Sequence, residues 1–168
     1  SVEVIVGPGI SPENYQPTAQ TIVRLAEADL YVRTGLPFEE QLLPRLIGIN
    51  PGLRVLDMRE GVGVNVDDPH IWTDPRKVLQ HAYYLNEDLV ELVPSQATVI
   101  EDNYQAFTPL LGDLDREIWL QLGPLVQRSF LVYHPAWSYF AARFGLIQLA
   151  VERNGKEPGA REMTRLIE

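Results

Sequence analysis

"TAQTIVRLAEADLYV", residues 18–32, decides how this chain is read as a fold. Ile22, Leu25, Ala26 and Ala28 recur at helical spacing behind Thr18, a capping residue that follows Pro17. The closing "DLYV" is a short strand-like run. Working outward, "VEVIV" (residues 2–6) is β-branched and runs into "GPG", which predicts another strand and a turn. "FEEQLLPRLIG" (38–48) predicts a short helix ended or kinked by Pro44, and "LRVLDM" (53–58) a third strand. Short strands alternating with helices imply a parallel α/β sheet.

Beyond residue 75 the rhythm changes. Val78, Ala82, Leu85, Leu89 and Leu92 share one face of a helix running from Pro75 to near Pro94. Ser95 is a candidate N-cap for a second helix, in which Val99, Asn103, Phe107, Leu110, Leu114, Ile118 and Leu122 keep a helical spacing. At helical rise that segment would span roughly 40 Å, with a kink expected at Pro109 and Gly112. Alternation then resumes with "SFLVYH" (129–134) as strand, "AWSYFAARFG" (136–145) as helix, "LIQLAVE" (146–152) as strand and "GAREMTRLIE" (159–168) as helix. The expected architecture is α/β: a parallel-sheet N-terminal lobe with its flanking helix (1–93), a long linking helix (94–123) and an incomplete second α/β lobe (124–168).

Composition narrows the function. Hydrophobic residues make up 45% and charged residues 22%, a globular balance, and no apolar run approaches the ~20 residues of a membrane span. A formal charge of −9 argues against nucleic acid or an anionic membrane and favours a cation as partner. With no cysteine, disulfides, Fe–S clusters and Cys-type zinc sites are excluded, so any metal must be held by His, Asp or Glu. No charged and then apolar leader opens the chain, which is the expectation for a cytosolic protein or one whose leader is already gone.

In "DDPHIWTDP" (67–75), Pro69 and Pro75 stiffen the backbone around His70, and Pro135 stands behind His134 at the end of its strand. Carboxyl ends of parallel strands face the ligand crevice, and neutral imidazole is the commonest metal ligand. The plainer alternative is that each histidine caps a helix or fills a polar corner, since 64 residues separate them and no HExxH ties them together. His81 is expected to be a partly exposed boundary residue. Glu13, in "GISPENYQP" (9–17), reads alone as a solvated loop charge, with a hard oxygen ligand as the alternative. Asp67, Asp68 or Asp74 could orient the His70 ring, although Asp68 also suits a turn and Asp74 a helix cap. Trp72, Trp137, Tyr139 and Phe140 are expected in core and lobe-interface packing. There is no Gly-rich phosphate loop, GxSxG or cysteine nucleophile.

Taken together, "DPHIWTDP" with its long helical pair, "FLVYHPAWSYFAARFGL" followed by "GKEP", and the opening "VGPGISPENYQPTAQTIVRLAEADLYVRTGLPFE" resemble the metal-binding solute-binding proteins of ABC importers, in their zinc, ZnuA-like branch. The resemblance implies two α/β lobes joined by a rigid helix, a metal in the cleft between them, and delivery to a membrane permease from the periplasm or another extracytoplasmic space. His70 and His134 match family ligands, and a histidine at the latter position implies Zn2+ over manganese. Glu13 stands where the family's first histidine ligand is expected and is the third candidate. The family's last carboxylate ligand, its opening strand and helix, its leader and its His-rich loop have no counterpart, with "REGVGVNVD" (59–67) in place of the last. Two ligands or three would leave a position to water. Exposed edges of the incomplete lobe favour a homo-oligomer. The reading is a non-enzymatic metal-binding component; the alternatives are a degenerate or truncated relative that keeps the fold without tight metal binding and, behind it, a zinc hydrolase, for which the sequence offers no convincing general base.

Overall fold

Two small parallel sheets, one before and one after a helical hairpin in the chain, make up the computed structural model, which describes residues 1–61 and 68–152. The chain order is α1 (Ala19–Leu25), β1 (Leu30–Arg33), α2 (Pro37–Ile49), β2 (Arg54–Asp57), α3 (Pro75–Leu92), α4 (Ala97–Leu122), β3 (Ser129–Val132), α5 (Ser138–Phe144) and β4 (Ile147–Ala150). Strands β1 and β2 pair in parallel from Leu30↔Arg54 to Arg33↔Asp57, with α2 as the crossover. The β3–β4 pair repeats the plan from Ser129↔Ile147 to Val132↔Ala150, crossing through α5. Each is a βαβ unit, which parallel pairing demands.

Local chemistry explains the first unit. The Thr18 hydroxyl accepts the Thr21 N–H at 3.1 Å and starts α1. Pro37 opens α2, where its missing N–H costs nothing, and Glu39 reaches back to accept the Leu36 N–H at 2.7 Å. Pro44 neither ends this helix nor faces the core: it lies on the solvent side, away from buried Leu42, Leu43 and Leu46. Those three pack with Leu25, Tyr31 and Leu53 into the main core. Burying each leucine contributes about 1.5–3 kcal/mol. A smaller cluster, Ile71 and Tyr139 with Met58 against them, joins the two halves.

Several expectations are corrected. Residues 2–6 form no strand: Val2 and Val4 are 96% and 77% exposed, and no strand among the described residues accepts their backbone bonds. Ser95 does not cap the long helix; Pro94–Gln96 makes a 3-10 turn and α4 starts at Ala97 without a side-chain cap. Along α4 the period is as expected, with the phase one residue off as far as Leu114. Val99, Asn103, Phe107, Leu110 and Leu114 are exposed, while Ile100, Tyr104, Leu111 and Asp115 turn inward; Ile118 and Leu122 are half-buried, as the expected stripe has them. Pro109 lies within a single 26-residue helix, about 39 Å long at helical rise. In α3 the expected stripe is only half-buried, and His81 and Asn86 are the buried positions beyond the first turn. Strand β3 ends at Val132, short of His134. The expected helix over 159–168 and the "GKEP" stretch lie outside the described residues. Among the described residues no helix is long and apolar enough to cross a membrane.

Candidate metal centre

His70 and His134 each follow a strand of a different βαβ unit, at the carboxyl ends where crevices form in parallel sheets. His70 leads into the short 3-10 turn Ile71–Thr73, locked by the Thr73 hydroxyl donating to the His70 carbonyl at 2.8 Å. Asp68 sets the ring. Its Oδ1 accepts the His70 backbone N–H at 2.9 Å and lies 2.7 Å from ring Nδ1, while its Oδ2 accepts the Ser138 hydroxyl. Burial pushes the Asp68 carboxyl up, but the hydrogen bonds from the His70 ring and Ser138 outweigh it and hold the group below the usual carboxylate range. Asp68 is therefore an ionised acceptor at neutral pH.

His134 is held in the same manner. Its Nδ1 lies 3.1 Å from Glu152 Oε2. With both Nδ1 atoms donating to carboxylates, both Nε2 atoms present lone pairs inward. They stand 3.3 Å apart, and Glu13 Oε1, carried by the turn Pro12–Asn14, approaches His134 Nε2 at 3.1 Å. All three ligand atoms lie within 4.8 Å of one another. Ligands about 2.0–2.1 Å from a tetrahedral zinc are about 3.3–3.4 Å apart. The 3.3 Å between the two Nε2 atoms matches that edge and the 3.1 Å from Glu13 to His134 is slightly shorter than it, and electron-rich atoms this close repel unless a cation or proton lies among them. The side chain of His70 is 14% exposed, against 35% for His134 and 36% for Glu13, so the cluster is open on one side.

The structure thus brings together all three candidate ligands. Of the carboxylates offered for the His70 ring, Asp68 fills the role. Asp74 instead caps α3 by accepting the Arg76 N–H at 2.9 Å, and Asp67 lies outside the described residues. Glu152 carries no local sequence signal for this role: only the register Val132↔Ala150, carried past both strand ends, sets His134 beside it. His81 is a correction. It is buried at 4% exposure with Nε2 unpartnered, and burial, followed by the Lys77 charge, lowers its pKa. Tyr139 is core as expected, and Phe140 packs against Trp137 and Phe144, but Trp72 and Trp137 are 46% and 42% exposed. Trp72 sets its ring against the His70 imidazole, edge to face, at 5.2 Å.

A second buried ionic group braces the halves. Asp115 of α4 receives Arg76 Nε at 3.0 Å and Arg143 at 2.9 and 2.7 Å, tying the start of α3 to α5.

Two βαβ units joined by a helical hairpin, with candidate ligand atoms converging from both, define a class of binding protein built of two α/β halves. The family of zinc-uptake complex component A, periplasmic, matches residues 1–168, and the chain belongs to that family. A crystal structure of ZnuA superposes with a TM-score of 0.89 at 37% identity, covering 99% of this chain and 68% of that one. The manganese-binding lipoprotein MntA of Halalkalibacterium halodurans is 29% identical over 171 residues, 95% of this chain and 56% of its own. The zinc-binding lipoprotein AdcA of Streptococcus pneumoniae is 25% identical over 191 residues, 100% of this chain and 38% of its own. The chain therefore spans about half the length of these curated relatives. Members of the family are metal-binding components of ABC-type uptake systems, extracytoplasmic lipoproteins or periplasmic binding proteins, and not enzymes.

Proposed function

We propose that this chain binds zinc for an ABC-type uptake system, capturing the ion in the cleft with His70, His134 and Glu13 as protein ligands. The observation that carries the reading is the convergence of two imidazole nitrogens and one carboxylate oxygen within 4.8 Å of one another. Zinc is favoured over harder divalent ions because two of the three donors are imidazole, although relatives that bind manganese and zinc both match. The open side of the cluster leaves a fourth position for water.

On this reading the lobes are residues 1–93 and 124–168, hinged on the stiff segment 94–123, and the loaded protein passes its ion to a membrane permease outside the cytoplasm. The 60% and 57% exposures of Leu131 and Ile147 support association of the second sheet with another copy or segment. The test is a calorimetric zinc titration of the chain beside His70→Ala and His134→Ala near neutral pH. One-to-one binding lost in both variants supports capture in the cleft. Equal weak heats in all three would end the reading.

A further inference from the structure

Helix α5 begins just after His134, and its first two residues both grip the residue that orients His70. The Ser138 hydroxyl donates to Asp68 Oδ2, and the Tyr139 hydroxyl donates to the Asp68 backbone carbonyl at 3.1 Å. The carboxylate is thus divided. One oxygen serves His70 twice, through the backbone N–H and ring Nδ1, and the other belongs to Ser138, seventy residues along the chain. Asp68 is 8% exposed, so little water competes for these bonds. Below it, Ile71 and Tyr139 pack at 1% and 6% exposure and hold the two segments in register.

We propose that Ser138 is a positioning residue for metal capture: acting through Asp68, it fixes the tautomer and ring angle of His70, so the second half of the chain presets a ligand in the first. This rests on the reading of His70 as a ligand. A ligating imidazole is held by what its other nitrogen donates to, and a carboxylate pinned at both oxygens cannot swing away from the ring. The same link couples opening to release. Drawing α5 away from Asp68 frees one carboxylate oxygen, loosens His70 and weakens the site as the halves part.

The experiment compares the full chain with Ser138→Ala and Ser138→Thr. Long-range 1H–15N spectra of the metal-free proteins near neutral pH read the His70 tautomer. Competition with a chromogenic chelator reads zinc affinity and dissociation rate, and urea unfolding reads stability. Wild type and Ser138→Thr should hold His70 with the proton on Nδ1. Ser138→Ala should show a mixture, with affinity lower by about 3–10-fold, a step below the ~10–100-fold typical of a ligand's direct outer partner, and faster dissociation. If Ser138→Ala does not fold, Ser138→Cys, of similar size but a weak donor, repeats the comparison. An unchanged tautomer and unchanged zinc dissociation overturn the proposal, as does a lower urea midpoint with the tautomer intact, which assigns Ser138 a structural role alone. Should folded wild type bind no zinc, the capture reading fails, while the metal-free spectra still decide whether Ser138 sets the His70 ring.

Discussion

The Nε2 atoms of His70 and His134 stand 3.3 Å apart although 64 residues separate the two histidines in the chain. Their rings meet edge to face, 77° between planes, each backed at Nδ1 by a carboxylate from its own half. The carboxylates decide where the protons sit, and so decide that both lone pairs point at the same place.

Removing a ligand should therefore cost more than removing its support. His70→Ala and His134→Ala are expected to lose zinc affinity beyond the ~10–100-fold of outer-partner losses, and Asp68→Asn and Glu152→Gln to fall within it. Glu13→His, which adds a third imidazole, should tighten zinc. Competition calorimetry gives all five values; Glu152→Gln matching wild type would remove Glu152 from the site.

Asp115 is a carboxylate at 3% exposure between two guanidiniums. Asp115→Asn should lower stability by about 2–3 kcal/mol in urea unfolding, tempered because Arg76 is 58% exposed. The Arg143 hydrogen bond leads in holding the Asp115 carboxyl below its usual range. A depressed folded-state pKa gives stability that is complete above the unfolded value near 4 and lost as pH falls through the folded value. Wild type should thus lose stability below about pH 4 more steeply than Asp115→Asn.

His81 works at milder acidity. Burial disfavours its charged form, so its contribution is complete above the ordinary histidine value near 6.5 and is lost as pH falls from there toward the lowered value. His81→Leu also removes an unpartnered buried nitrogen. It should be as stable as wild type at pH 7 or more so, by about 1 kcal/mol, and should flatten the decline in thermal midpoint below about pH 6.5. An unaltered decline would show that other groups govern this range.

Glu39 closes the loop ahead of α2. At 2% exposure, its carboxylate accepts the N–H groups of Thr34, Gly35 and Leu36 and the Tyr31 hydroxyl. Gly35 has φ 91°, a turn that aims these donors inward. Glu39→Ala leaves several buried donors unpaired and should cost about 2–4 kcal/mol, measured by urea unfolding.

Much of the fold is legible in local signals. Thr18 and Pro75 mark helix starts, Gly145 at φ 66° ends α5, "DLYV" overlaps β1 and "LRVLDM" contains β2. The misses share a cause. "VEVIV" has strand chemistry, but a strand exists only where a neighbour takes its backbone bonds. The α4 pattern shows its period, yet which face turns inward depends on what packs there, and Arg143 of α5 meets Asp115 rather than Leu114. Pro44 can ride the exposed face of α2, so its breaking power is not spent on the core.

By itself the sequence determined the alternation of strand and helix, the long helical pair and a metal chemistry confined to His, Asp and Glu, because capping, periodicity and the absence of cysteine are properties of neighbouring residues and of composition. Tertiary structure alone decided that Glu13, His70 and His134 meet, that Asp68 and Glu152 hold the two rings, and that Ser138 reaches Asp68 from the other half. Those contacts join segments remote in the chain, and their distances follow from sheet register and helix packing rather than from any local preference.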